Sequence, residues 1–518
     1  MHIPPYPVID LFAGCGGLGE GFSAVTCGRN DNTPPPFCVG LSIDKDRWAC
    51  RTLRLRHFFR EFPAGQAPEA YYEYLRGRID EVQLYGGFPD EAERSQRTVQ
   101  CITLSPEHHG TVRRLIADQL GTARKWVLIG GPPCQAYSVA GRARMKNMPG
   151  FASDVRHLLY REYLQILADH RPPVFVMENV KGLTSATLEG QSMIARIMSD
   201  LMDPQAALKR QAARSAPGYR LHALASGESQ LFNEIPEAHD FVVRAEQHGV
   251  PQTRHRVFIL GIRRDLQVRP GTLARRNPPT VGDVIGDLPR IRSGLTGSSD
   301  TPASWRTAIG ALADQDLSDA VGSREIMQQL EAGAAGRRSL SERNADAYEH
   351  REVSHDALRF IMSDSRLKHI DGHESRAHMA SDLRRYAYVA GFAKVHGKSP
   401  KLRDLPKALL PAHGNIPKDG IPSQFEDRFK VQIADRPAST VTAHIAKDGH
   451  YYIHYDPVQC RSLTVREAAR LQTFPDNFKF EGPRTEQYRQ IGNAVPPYLA
   501  SQIGEIVGEV LDAIGRKG

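Results

Sequence analysis

No apolar run in the 518 residues approaches the length that crosses a bilayer, and the opening MHIPPYPVIDLF has neither a basic leader nor a long apolar stretch. A membrane span and a secretory signal are therefore not expected, and the reading is a soluble cytoplasmic protein with no membrane partner. Cysteine is sparse. The seven, at positions 15, 27, 38, 50, 101, 134 and 460, form no CxxC pair and no closely spaced framework. That pattern argues against a zinc site or a disulfide scaffold and predicts reduced thiols and no metal. The glycine-rich segment DLFAGCGGLGEGF carries no Gly-Lys-Ser/Thr, so no P-loop is present, and its glycines alone do not establish a dinucleotide fingerprint. Internal repeats and coiled-coil heptads are also missing.

What remains is a chain with ample apolar content, 40%, and a length that suggests about two to four domains. Lys and Arg total 67 against 59 Asp and Glu, a formal charge of +8. A basic surface of this kind attracts polyanions, though charge says nothing of fold. The first half alternates short aliphatic runs with amphipathic stretches, the pattern of an α/β fold with a doubly wound, mostly parallel sheet. Val8 to Leu11 leads into FAGCGGLGEGF, Trp126 to Ile129 into GGPPCQAYS, and Val174 to Met177 into ENVKGL. Ligands bind outside the carboxyl ends of strands in such sheets, so the three loops can converge on one crevice. Leu159, Tyr163, Ile166 and Leu167 predict a helix that Arg171-Pro172-Pro173 stops. GYRLHALAS and RVFILGI predict a further strand pair, ASTVTA and YYIHY two more strands, TVREAARLQTF a helix, and YLASQIGEIVGEVLDAIG a final helix packed back on the first domain. Between them lies a basic, strand-poor middle with helical stretches.

Several residues stand out chemically, each beside a plainer reading. Gly14, Gly16 and Gly17 follow a strand and allow backbone to approach a ligand closely, or simply form a turn before a helix. Asp44, at the end of FCVGLSID, can accept from ribose hydroxyls, or with Asp46 cap the next helix. Two prolines frame Cys134, which holds its sulfur in place, and Arg254, Arg256 or a bound sulfonium would favour its thiolate; the alternative is an inert packed thiol. Glu178 ends a central strand, where desolvation raises a carboxyl pKa, unless it serves as a cap or ion pair. Gln252, Arg254 and Arg256 alternate, as on one face of a strand that meets a phosphate, a carboxylate or a base edge, or merely solvent.

DLFAGCGGLGEGF, GGPPCQAYSVAGR, MENVKGL, GVPQTRHRV, RPASTVTAH, LTVREAARLQTFPD and QIGNAVPPYLA together resemble, in order and spacing, the blocks of bacterial DNA cytosine-5 methyltransferases of restriction-modification systems. The resemblance covers about residues 7 to 263 and 436 to 500. It implies a Rossmann-like S-adenosylmethionine-dependent methyltransferase domain formed by residues 1–264 and completed by a return segment, 456–518, with a target-recognition domain inserted at 265–455. It further implies Cys134 as the nucleophile at C6 of a flipped cytosine, Glu178 as hydrogen-bond or proton donor at N3, and Arg254 as a contact to the base. Phe12, Gly14, Gly16, Asp44, Lys45, Asn493 and Val495 would bind S-adenosylmethionine. Double-stranded DNA is the implied partner, a separately encoded restriction endonuclease a further one, and a monomer the expected state. The chain departs from the family at Tyr137, where Phe is usual. The family's acid that contacts the adenine amine is not assigned to one residue, because residues 51–124 are longer than the family pattern and offer several Asp and Glu. Two rival readings follow the same residues: a transfer-RNA cytosine-5 methyltransferase, and a catalytically silent DNA-binding subunit.

Overall fold

The computed structural model describes residues 5–25, 36–133, 155–188, 191–209, 217–225, 236–297, 299–310, 323–344, 353, 355–411, 426–447 and 449–514. Cys134 and Tyr137 lie outside these residues. The chain divides into two compact units, the first Met1–Ala67, Val82–Asn277 and Ala494–Gly518, the second Pro68–Glu81 and Pro278–Asn493.

An eight-stranded sheet supports the first unit. Its strands are β1 (Tyr6–Leu11), β2 (Phe37–Asp44), β3 (Val99–Cys101), β4 (Val127–Gly130), β5 (Val174–Val180), β6 (Tyr219–Ala223), β7 (Val242–Arg244) and β8 (His255–Arg263). They lie in the order β3-β2-β1-β4-β5-β8-β6, with β7 also paired to β8. Strands β1 to β5 run parallel, and β8 is antiparallel to β5, β6 and β7. All of β4 and the first four residues of β5 are buried, as expected of aliphatic strands covered on both faces. The strand order reverses between β1 and β4, so the crevice beyond their carboxyl ends is the topological switch point of the sheet.

The main helices of this unit are α1 (Gly17–Ser23), α2 (Arg47–Arg60), α3 (His109–Leu120), α4 (Val155–His170), α5 (Met193–Met202) and α6 (Pro497–Ala513). Leu159, Tyr163, Ile166 and Leu167 all bury on α4, and the helix ends at His170 before Arg171 at φ 45° and the two prolines, which cannot continue it. The final helix does pack on the first unit. A Cβ at Gly21 of α1 would stand 2.4 Å from Ala500 Cβ and 2.5 Å from Pro497 O of α6, so glycine lets the two helices touch.

The second unit gathers Trp305, Tyr386, Tyr388, Phe392 and Phe429 into its own core. Helix Ala380–His396 supplies three of these and stops at Gly397, φ 62°, a left-handed cap. Two expected strands need correction. Only Ala438–Ser439 of ASTVTA is strand, and YYIHY contributes just isolated bridges at Ile453. Side-chain bonds supplement the few backbone bonds here: Tyr452 Oη meets the Thr442 hydroxyl at 2.8 Å, and Gln432 donates to Tyr451 O at 2.9 Å.

The compact units break at 277/278 and 493/494. Pro68–Glu81 also joins the second unit, because three tyrosines of helix Glu69–Leu75 bond into it. Tyr71 donates to Asn477 O, Tyr72 to Asp364 Oδ2 and Tyr74 to Glu481 Oε1, each at 2.8 Å. Among the described residues no helix is long and apolar enough to cross a membrane.

Candidate active site

The loop after β1 is built from left-handed backbone: Phe12 at φ 54°, Gly14 at 57° and Gly16 at 89°. Phe12, a non-glycine residue in that region, is held there at a cost of about 1–3 kcal/mol. Backbone bonds fix the turn, with Ala13 N donating to Ile43 O at 3.1 Å and Gly16 N to Ala13 O at 2.8 Å. The glycines serve different ends. A Cβ at Gly16 would press on Leu53 at 2.7 Å and one at Gly17 on Val495 O at 2.3 Å, whereas a Cβ at Gly14 would meet nothing within 4 Å. Gly16 and Gly17 thus permit packing, and Gly14 leaves the outer side of the loop open.

Asp44 ends β2 beside this loop. Its Oδ2 accepts from Gly14 N at 2.9 Å and its Oδ1 from Asp46 N at 2.8 Å, and with Lys45 N–H as a third backbone donor the carboxylate keeps acceptor capacity for one more. Burial raises its pKa despite the N–H groups of Asp46, Gly14 and Lys45. The capping role falls to Asp46 instead, whose Oδ1 accepts from Trp48 N at 2.9 Å and Ala49 N at 3.0 Å. Lys45 between them is exposed. Strand β3 aligns Cys101 with Asp44, and residues 98–105, TVQCITLS, contain no acid at all. Underneath the loop Asp10 is 1% exposed, and burial followed by the charge of Asp44 pushes its pKa well above the carboxylate range. Asp10, Cys15, Glu20 and His57 line a cavity of about 20 Å³, the size of one water and so no ligand site.

The second cluster lies where β4 and β5 end. A Cβ at Gly130 would stand 2.6 Å from Leu11 O, and one at Gly131 3.0 Å from Glu178 Oε2. The root of the Cys134 loop is therefore seated against the Glu178 carboxylate. Asn179 Nδ2 donates to Pro132 O at 3.2 Å and its Oδ1 accepts from Val180 N at 2.8 Å, which ties the same loop root to β5. Glu178 lies opposite Phe258 of β8, and Arg256 opposite Val180; this diagonal brings Arg256 Nε to 3.2 Å from Glu178 Oε1. Burial raises the Glu178 pKa, while Arg256 and then Arg254 oppose the rise. Arg254 is 1% exposed and sits in the break between Gln252–Thr253 and β8, so Gln252, Arg254 and Arg256 do not share one continuous strand face.

The sequence model of the C-5 cytosine-specific DNA methylases matches residues 107–203 and 237–509. The chain belongs to this family. It is a DNA (cytosine-5-)-methyltransferase. Type II methyltransferase M.Bpa9945I of Bacillus paralicheniformis is 32% identical over 98% of this chain and 99% of its own. Type II methyltransferase M.AgeI of Thalassovita gelatinovora is 26% identical over 96% and 98%. The DNA (cytosine-5-)-methyltransferase M.ApeKI of Aeropyrum pernix is 30% identical over 75% and 82%. The doubly wound sheet of the first unit is the Rossmann-like fold of S-adenosylmethionine-dependent methyltransferases.

In this methyltransferase, Phe12, Gly14, Gly16, Asp44, Lys45 and Val495 gather around the loop after β1, and Glu178 stands within electrostatic reach of Arg254. Asn493 is the last residue of the second unit and is exposed. Cys134 itself is outside the described residues, although Gly130 to Pro133, which carry it, are inside them. Reading the sequence left out Asp10 and Asn179 and gave Arg256 no link to Glu178; only the diagonal across β5 and β8 reveals that pair. The block LTVREAARLQTFPD turns out to be internal scaffolding. Arg461 binds Glu467 through two 2.6 Å bonds, Arg470 binds Asp476 at 2.8 and 2.9 Å, and Arg466 donates to the carbonyls of Asp371, Pro475 and Phe478.

Proposed function

We propose that this methyltransferase modifies C5 of a cytosine flipped out of a specific duplex sequence, with Cys134 as the nucleophile, and that it accompanies a separately encoded restriction endonuclease. The observation that carries the reading is the seating of the Cys134 loop root on Glu178, at a carboxyl whose pKa is raised by burial. A stacked base cannot present C6 to a thiol, so flipping is required. Cys134 adds as thiolate to C6, forming the S–C6 bond. Glu178 donates its proton or a hydrogen bond at N3 and neutralises the charge that the addition pushes onto the ring. Arg256 orients the Glu178 carboxyl, and Arg254 contacts the base.

The open side of the Gly14 turn and the remaining acceptor capacity of Asp44 suit the methionine and ribose portions of S-adenosylmethionine, a fit that the residues of the loop support. Phe12, Gly14, Gly16, Asp44, Lys45 and Val495 would hold it, with Asn493 as a further contact, and when bound it supplies an electrophilic methyl group to C5. Loss of the C5 proton and elimination of the Cys134 thiolate restore the enzyme. The middle of the chain would read the target sequence.

Methyl transfer from labelled donor onto duplex DNA and onto transfer RNA tests the substrate: DNA labelled and RNA unlabelled is expected, and label in RNA alone overturns the reading. Cys134→Ala should abolish transfer while S-adenosylmethionine still binds. A 5-fluorocytosine duplex should trap a covalent adduct with the parent enzyme, and turnover by the alanine variant would remove Cys134 from the mechanism.

A further inference from the structure

Cys50 and Cys101 are fifty-one positions apart in sequence yet meet at one corner of the fold. Strand β2 ends on Asp44, which β3 aligns with Cys101. The chain then turns through Lys45 into α2, whose first turn carries Cys50. Cys50 Sγ donates to Asp44 O at 3.4 Å and Cys101 Sγ to Lys45 O at 3.8 Å. The two sulfurs thus hang on consecutive carbonyls, and the Cys101 thiol acts on Cys50 strongly enough to help raise it. Their surroundings differ. Cys50 is 1% exposed in a small apolar cluster with Leu53 and Val99, against Ala13 of the loop after β1; Cys101 is exposed.

We propose that Cys50 and Cys101 are an oxidisable dithiol at the Asp44–Lys45 edge of the cofactor crevice, and that closing it to a disulfide shuts S-adenosylmethionine out. This rests on the reading that Asp44 and Lys45 border the cofactor. The oxidant is a peroxide. The Cys101 thiolate attacks a peroxide oxygen, the O–O bond breaks, and Cys101 becomes a sulfenic acid. Cys50 then attacks that sulfur: the S–S bond forms, the S–O bond breaks and water leaves. The two thiols lose two electrons in all, and one hydrogen peroxide is reduced to two waters. Burial pushes the Cys50 thiol up, which makes it the slower of the two toward peroxide and leaves the exposed Cys101 to be oxidised first. Bonded sulfurs stand about 2.05 Å apart. Reaching that distance pulls both thiols off the carbonyls of residues 44 and 45 and draws the first turn of α2 toward β3. Asp44, which holds Gly14 N, moves with them.

The test uses the full chain carrying Cys134→Ala, so that oxidation of the proposed nucleophile cannot affect the readout, and it measures binding. Protein treated with hydrogen peroxide is alkylated, digested and mapped, and S-adenosylmethionine affinity is measured before oxidation, after it, and after dithiothreitol. A Cys50–Cys101 linked peptide, an affinity at least tenfold weaker, and recovery with reductant are expected. Adding Cys101→Ser or, separately, Cys50→Ala should leave affinity within threefold and remove the response to peroxide. Absence of the linked peptide overturns the dithiol. A linked peptide with unchanged affinity overturns the switch, as does a response that survives in both variants. Reduced protein that binds no S-adenosylmethionine overturns the reading of the crevice, and the switch with it, whereas the peptide map judges the dithiol independently.

Discussion

Glu178 is pulled in two directions, raised by burial and lowered by Arg256 and Arg254, and burial prevails. A raised pKa keeps its proton to higher pH than an ordinary carboxyl would. While protonation of the Cys134 thiolate sets the acid limb, the single-turnover methylation rate should therefore fall on the alkaline side as pH rises through the pKa of Glu178. Glu178→Gln keeps a hydrogen-bond donor without a transferable proton. It should lower that rate by about 10²–10⁴-fold and flatten this limb of the pH profile; an unchanged profile would take Glu178 out of proton transfer. Asp10 gives a stability prediction of definite sign. Its folded-state pKa lies above the unfolded one, so the folded state binds the proton more tightly, and stability declines as pH rises from the unfolded pKa toward the folded one. The neutral Asp10→Asn should therefore match the parent in thermal unfolding near pH 4 and exceed it at pH 7.

Between β1 and β4 the chain tolerates almost no added volume. Gly130→Ala would set a Cβ 2.6 Å from Leu11 O, a backbone atom with nowhere to go, and should destabilise by about 1–3 kcal/mol while displacing the loop that carries Cys134. Denaturant unfolding together with methylation rate checks both effects. A second element-scale prediction concerns helix Val465–Leu471, where Glu467 is buried and held far below the carboxylate range by Arg461 once desolvation is overcome. Glu467→Gln leaves Arg461 buried without its counter-charge, so a loss of about 3–5 kcal/mol is expected, read as a fall in the unfolding midpoint. These elements differ in how far the sequence announced them. Strands β4 and β5 were legible because aliphatic runs buried on both faces leave a continuous signal, and Gly-Gly-Pro-Pro marked the loop between them. ASTVTA and YYIHY carried a similar alternation but form only a two-residue strand and isolated bridges, with part of their polar groups met by Gln432 and Tyr452. The partnership of Arg256 with Glu178 depends on the register of two strands some eighty residues apart, and no local pattern encodes a register.

At the scale of the whole chain, the formal charge of +8 overstates what is free to meet DNA. Arg461, Arg466 and Arg470 are internal, and Arg56 and Arg60 both bind Glu20 at 2.6 Å. Phosphate contacts must come from the remaining cations. With about six to ten of them, duplex affinity should fall by roughly 10³–10⁵ between 50 and 200 mM salt, measurable by fluorescence anisotropy with a labelled duplex. The fold also joins distant stretches of chain in a way composition could not reveal. Helix Glu69–Leu75 belongs to the second unit although the segments on either side of Pro68–Glu81 belong to the first. Its hold is polar as well as apolar, for Arg366 stacks over the Tyr72 ring at 4.8 Å and Lys479 over Tyr74 at 5.8 Å. Replacing Tyr71, Tyr72 and Tyr74 together by Phe keeps the rings and removes three hydroxyl donors, each worth about 0.5–1.5 kcal/mol. The triple variant should unfold at lower temperature, with the loss read in the second unit by hydrogen exchange around Asn477 and Asp364. Its affinity for S-adenosylmethionine should be unchanged, since Phe12, Gly14 and Asp44 lie in the first unit. Equal loss of exchange protection at those three residues would mean that the two units unfold as one.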